Sequence, residues 1–146
     1  MLTSDEADAL AQRCADAMYA RDIAAQSMGI SVIEVRRGFA RVEMDVRPEM
    51  LNGHEIAHGG FIFALADTAF AYACNSRNQP NVAVQCSISF VAPARRDDRL
   101  VGVAEERAHG GRIGTYDVSV ARADGTLLAL FRGVPYRING TVLDPA

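Results

Sequence analysis

The 146-residue chain contains no lysine: all fifteen residues counted as Lys+Arg are arginine. That absence removes lysine Schiff-base chemistry and the phosphate-gripping lysine of a P-loop. Positive charge is not in surplus either. The net charge of -3 argues against nucleic acid as a partner, since phosphate binding normally needs a basic face. Cysteine is scarce and odd in number. Cys14, Cys74 and Cys86 lie in apolar or periodic stretches, which fits buried free thiols better than a disulfide framework or a zinc ribbon. The opening Met1-Leu-Thr-Ser-Asp-Glu6 has neither a basic nor an apolar leader segment, so a cytoplasmic, reducing location is expected. An uninterrupted apolar run of membrane-spanning length is also lacking, and no membrane association is expected.

What the chain does have is the composition of one globular domain, with 49% hydrophobic and 23% charged residues, and a single domain over 1–146 is expected. Thr3-x-x-Glu6 reads as a capping box, and Ala7, Leu10, Ala11, Cys14, Ala17 and Met18 recur at helical spacing, predicting an amphipathic helix of about twenty residues. Ala40, Val42, Met44 and Val46 then alternate with charged neighbours, the period of a half-exposed strand. Residues 30–36 are its expected hairpin partner, turned at Arg37-Gly38. After a loop over 47–57, the stretch from Gly59 to Ser76 is apolar nearly all round and carries one carboxylate, Asp67; this predicts a helix enclosed by other structure. From Val82 onward alternation and the turn signals His109-Gly110-Gly111 and Asp124-Gly125 predict four more strands. One apolar helix among sequential strands predicts an α+β fold whose antiparallel sheet curls around it.

Three constellations can carry chemistry. His54-Glu55-Ile56-Ala57-His58 matches the H-E-x-x-H pattern of zinc hydrolases, but that chemistry needs a regular helix with both imidazoles on one face. Gly53 before the match and Gly59-Gly60 after it disfavour a helix interior, and His109 is the only other histidine. No metal is therefore expected. The junction His58-Gly59-Gly60 opens the apolar helix, and unpaired N–H groups at a helix start can stabilise an oxyanion; equally, paired glycines can simply make a tight turn. Asp67, amid Ala64, Leu65, Ala66, Ala69 and Phe70, must be paired, protonated or set in a wet cleft; Thr68 of the same helix is one possible partner. Eight residues separate Gly59 from Asp67, about 12 Å along a helix and roughly 80° around it. One chain cannot bring both to one carbonyl, so joint action requires an antiparallel helix from a second copy.

The run from Met50 to Asn75, with its Asn52-x5-His58-Gly59-Gly60-x6-Asp67 spacing, closely resembles the PaaI-type hotdog thioesterases of phenylacetate degradation. Phe90-Val-Ala-Pro93, Tyr116-Asp117 and Phe131-Arg-Gly133 extend the likeness over nearly the whole chain. The resemblance implies a hotdog fold, a curved antiparallel sheet around a long central helix, here with an additional N-terminal helix. It also implies hydrolysis of phenylacetyl-CoA or its ring-hydroxylated relatives to acid and CoA, releasing CoA from dead-end intermediates. In that reading Gly59 polarises the thioester carbonyl, Asn52 and His58 orient substrate or water, and Asp67 of the partner acts as nucleophile or general base. Gly60 and Thr68 are further candidates for substrate contact, and Arg95, Arg96, Gly110 and Arg112 for the CoA phosphates, although each turn can equally be ordinary solvated surface. No cofactor is implied beyond the CoA of the substrate. A homodimer, and a tetramer from two dimers, are implied. A non-catalytic acyl-CoA-binding protein and a hydratase are the alternatives on the same fold.

Overall fold

Thr3 caps the first helix as its sequence dictates: its side chain accepts from Glu6 N–H while the Glu6 carboxylate accepts from Thr3 N–H. The computed structural model describes residues 1–145. The helix, α1 (Ser4–Tyr19), buries Ala7, Ala11, Cys14 and Ala15 and stops short of the expected length. Asp22 starts a second helix, α2 (Ile23–Ser27), because its carboxylate accepts from Ala25 N–H and so competes with continuation of α1.

The predicted hairpin forms from β1 (Ser31–Arg36) and β2 (Phe39–Asp45), and Gly38 takes the turn position at φ 74°. The chain then runs through a short 3-10 turn at Pro48–Met50 and an irregular loop into α3 (Gly59–Cys74). Four strands follow: β3 (Asn81–Phe90), β4 (Arg99–Gly110), β5 (Ile113–Arg122) and β6 (Leu127–Arg137). All pairings are antiparallel, in the order β1-β2-β4-β5-β6-β3, and the sheet curves so that α3 packs against every strand. This is the α+β hotdog architecture expected above.

The packing of α3 on the sheet is aromatic on the β5–β6 side. Phe70 meets Tyr116 edge-on at 5.8 Å and Phe131 at 5.8 Å, while Phe63 meets Phe131 edge-on at 5.4 Å. Gly133 is required there, since a Cβ would lie 2.8 Å from the Phe70 ring. The enclosure of α3 is less complete than its sequence suggests. Gly60 is exposed, and Ala64, Asp67, Thr68 and Ala71 are only half-buried, forming one stripe at i, i+4, i+7, i+8 and i+11 that this chain leaves uncovered. β3 forms one edge of the sheet, and its Val82 and Val84 are 46% and 58% exposed. Among the described residues no helix is long and apolar enough to cross a membrane.

Candidate active site

The loop ahead of α3 is built on Asn52. Its Oδ1 accepts from His54 N–H at 2.9 Å and Ile56 N–H at 3.4 Å, and its backbone N–H donates to Ile56 O at 2.9 Å. With Oδ1 engaged, the Nδ2 amide remains as the group Asn52 can present to a ligand. The loop is fixed to its surroundings by Ala57 N–H donating to Ala94 O and His58 N–H to Met50 O, both at 2.8 Å. Glu55 sits at φ 61° in the left-handed region, and the helix begins only at Gly59. The His54-Glu55-x-x-His58 match is therefore not helical, and its imidazoles do not project from one helix face as the zinc motif demands.

His58 is the N-cap of α3, its Nδ1 accepting from Gly60 N–H at 2.9 Å. This bond sorts the two glycines. Gly60 N–H is occupied, whereas Gly59 N–H has no partner among the described residues and points out of the positive end of a sixteen-residue helix. It also fixes the imidazole: with Nδ1 accepting, neutral His58 carries its proton on the exposed Nε2. Beside these groups runs a groove of about 580 Å³, lined by Asn52, Ile56, Gly59, Ile62, Phe90 and Pro93. Its far wall is the end of β3 and the segment after it; the periodicity marks Phe90 as a strand residue but not its contact with Gly59, which forms only through the tertiary fold.

Asp67 is half-buried without a hydrogen bond or ion pair among the described residues, and burial raises its carboxyl pKa above the ordinary 3.8. Thr68 does not satisfy it. The Thr68 hydroxyl donates to Ala64 O at 2.7 Å, back along its own helix. Two thiols feel the Asp67 charge. Burial pushes Cys74 up to about 12, with Asp67 adding to the shift, and Cys86 is raised by burial and then by Asp67. Both remain thiols at neutral pH, so neither is an activated nucleophile.

The structure thus brings Asn52, His58, Gly59 and Gly60 together, with Arg95 and Arg96 exposed in a neighbouring turn that pairs Arg95 with Ile56. It leaves Asp67 about 12 Å along α3 from Gly59. Arg112 lies by the opposite end of α3, on a small cavity that also touches Cys74 and Gly111, while Gly110 does not line it. Arg112 is already engaged, donating to Arg137 O at 2.9 Å and to Asn139 Oδ1 at 3.4 Å. Within one chain, no common site holds both groups of arginines.

An antiparallel sheet curled around α3, with a free amide hydrogen at the helix start and an unpaired carboxylate two turns further on, is the hotdog architecture, and similarity to known thioesterases makes it that of a thioester hydrolase. The Thioesterase superfamily model matches residues 54–129. Acyl-coenzyme A thioesterase PaaI of Escherichia coli strain K12 is 46% identical over 132 residues, covering 90% of this chain and 94% of that protein. A putative esterase of Archaeoglobus fulgidus is 37% identical over 89% of this chain and 84% of its own length. Among solved structures, the E. coli PaaI protein from the phenylacetic acid degradation operon superposes with a TM-score of 0.91 at 45% identity, covering 92% of this chain and 97% of that one. A variant of the phenylacetic acid degradation protein PaaI from Thermus thermophilus gives 0.77 at 38% identity, over 80% and 100% of the two chains. The chain belongs to the thioesterase superfamily, as an enzyme of the PaaI type.

Proposed function

We propose that this enzyme hydrolyses acyl-CoA thioesters, with phenylacetyl-CoA or its ring-hydroxylated derivatives as substrate, and that it works in the cytoplasm to release CoA from intermediates that cannot proceed. The observation that carries this reading is the division of labour at the start of α3, where His58 occupies Gly60 N–H and leaves Gly59 N–H free. That single donor, backed by the helix dipole, fits a thioester carbonyl whose oxygen becomes negative as the tetrahedral centre forms. Asn52, which lines the groove with Gly59, keeps its Nδ2 amide and His58 keeps Nε2, and in this reading both serve to orient the ester or water.

The carboxylate comes from a second copy. A stripe of small residues on α3 allows close approach of an antiparallel α3, and the apolar edge strand β3 is open to the same partner. In such a homodimer each Gly59 faces the other protomer's Asp67, and two dimers make the tetramer. Asp67 then either attacks the carbonyl carbon itself, forming an anhydride that water cleaves, or removes a proton from the attacking water; its raised pKa suits the second role well. CoA leaves as the thiolate when the C–S bond breaks and takes up a proton, from the protonated Asp67 in the general-base route or from water in the anhydride route. Arg95 and Arg96 are the better-sited candidates for its phosphates, since Arg112 is already engaged by backbone and Asn139.

The test is thiol release from phenylacetyl-CoA by the purified protein and by Asp67→Asn. The variant is expected to bind substrate normally while kcat falls by about 10²- to 10⁴-fold. Binding without turnover by the wild type would identify an acyl-CoA sensor instead, and near-normal turnover by Asp67→Asn would make the carboxylate structural.

A further inference from the structure

Phe90 has no part in the scheme above, yet it stands against the reacting carbonyl's position. It ends β3 with 53% of its surface exposed, and its ring is so close to Gly59 that a Cβ there would lie 2.9 Å from Phe90 Cζ and 3.3 Å from Cε1. The ring therefore forms one wall of the groove of about 580 Å³ that starts at Gly59. The rest of the lining is apolar, Ile56, Ile62, Val91 and Pro93 among it, apart from Asn52, whose amide orients the ester or water in the scheme above.

A thioester held on Gly59 has two arms, and the chemistry of these walls chooses between them. The pantetheine arm carries two amides and a hydroxyl, which need partners once they leave water. The groove's backbone has few to give. Val91 and Ala92 N–H both donate to Leu128 O, at 2.8 and 3.2 Å, and Ala94 O accepts from Ala57 N–H at 2.8 Å. Pro93 has no N–H, and its carbonyl accepts from Arg122 Nη2 at 3.1 Å. Ile56 N–H and C=O are both engaged by Asn52. An apolar wall most of whose N–H groups are already used suits the acyl arm, which in phenylacetyl-CoA has no polar atom beyond its carbonyl.

We propose that Phe90 is a specificity-determining residue, its ring forming the wall of an acyl subsite that favours arylacyl over short straight-chain groups. The inference rests on the reading of Gly59 as the carbonyl's donor. An aryl ring entering the groove meets Phe90 at offset or edge-on distances, an interaction a short alkyl group lacks.

The experiment compares kcat/KM for phenylacetyl-CoA and butyryl-CoA in the wild type, Phe90→Leu and Phe90→Ala, with circular dichroism and Tm as folding checks. Phe90→Ala is expected to lower the phenylacetyl-to-butyryl ratio about tenfold, with Phe90→Leu in between. Ile56→Ala, in the lining of the same groove, should move the ratio the same way without altering β3. An unchanged ratio, or an equal loss for both esters, overturns the proposal, the equal loss marking the groove as the pantetheine channel. A wild type that cleaves neither ester sinks the thioesterase reading itself and the acyl subsite with it.

Discussion

The Asp67 carboxyl has lost much of its water without gaining a donor, and its raised pKa is a statement about stability as well as chemistry. Below the ordinary value of 3.8 the folded and unfolded chains are both protonated there, and the site costs nothing. As pH rises, the unfolded chain ionises first and stability falls; once pH passes the raised folded pKa, the full penalty stays. Asp67→Asn keeps the shape and removes the charge. It is therefore expected to raise Tm relative to wild type at about pH 7 and to lose that advantage near about pH 3.5. Thermal unfolding of both proteins at the two pH values checks this, and an asparagine variant less stable than wild type at neutral pH would mean that the carboxylate has a partner holding it. A residue kept at a cost to stability, in the same enzyme whose turnover it is proposed to drive, is the pattern expected of a functional group and not of a packing one.

At the scale of elements, α3 is held by side chains that fit only because the facing strand has none. Gly133 faces Phe70, which is 1% exposed and hemmed in by Tyr116 and Phe131, so the ring has nowhere to move when a methyl arrives 2.8 Å from it. Gly133→Ala is expected to destabilise by about 1–3 kcal/mol with little change in the denaturant m-value, measured by urea unfolding. A neutral result would show that α3 shifts freely over the sheet. The same elements indicate what a sequence can carry. The capping box at Thr3, the Gly38 hairpin, the start of α3 after His58 and the run of four late strands all follow from local spacing and turn chemistry. Strand order does not, because alternation states which face a residue takes and not which neighbour its strand finds. The exposed edge position of β3 is thus invisible in the sequence, although its apolar residues are plain. The site divides along the same line: Asn52, His58, Gly59 and Asp67 lie in one continuous run and can be read, while Phe90 reaches Gly59 only through the folded sheet. Arg112 looks free in sequence because its partners, Arg137 O and Asn139, lie at the end of a different strand.

For the whole molecule, the decisive quantity is the distance that one helix imposes between its first amide and its lone carboxylate. About 12 Å along the axis cannot close around one carbonyl, so the proposed active site exists only between copies. Gly59→Pro tests this with little disturbance of the backbone. Proline is well tolerated at the first helical position, where its missing N–H has no intrahelical partner, and His58 at φ -60°, ψ 133° already has the extended conformation that a residue before proline requires. Gly59→Ala is the matched control, since it presents a Cβ to the Phe90 ring but keeps the N–H. Loss of the donor alone is expected to reduce kcat by about 10²- to 10³-fold relative to Gly59→Ala. Gly59→Pro and Asp67→Asn are then each nearly inert, but in a mixed dimer one site combines the intact Gly59 of one copy with the intact Asp67 of the other. With free subunit exchange at equal concentrations, half the dimers are mixed and each holds one working site, so the mixture is expected to regain about a quarter of wild-type activity. Thiol release followed over time, beside native mass spectrometry of differently tagged copies, measures both quantities. Mixed dimers that form and stay inactive would return both groups to the same chain, and would require α3 to unwind between Gly59 and Asp67 before any thioester could be cleaved.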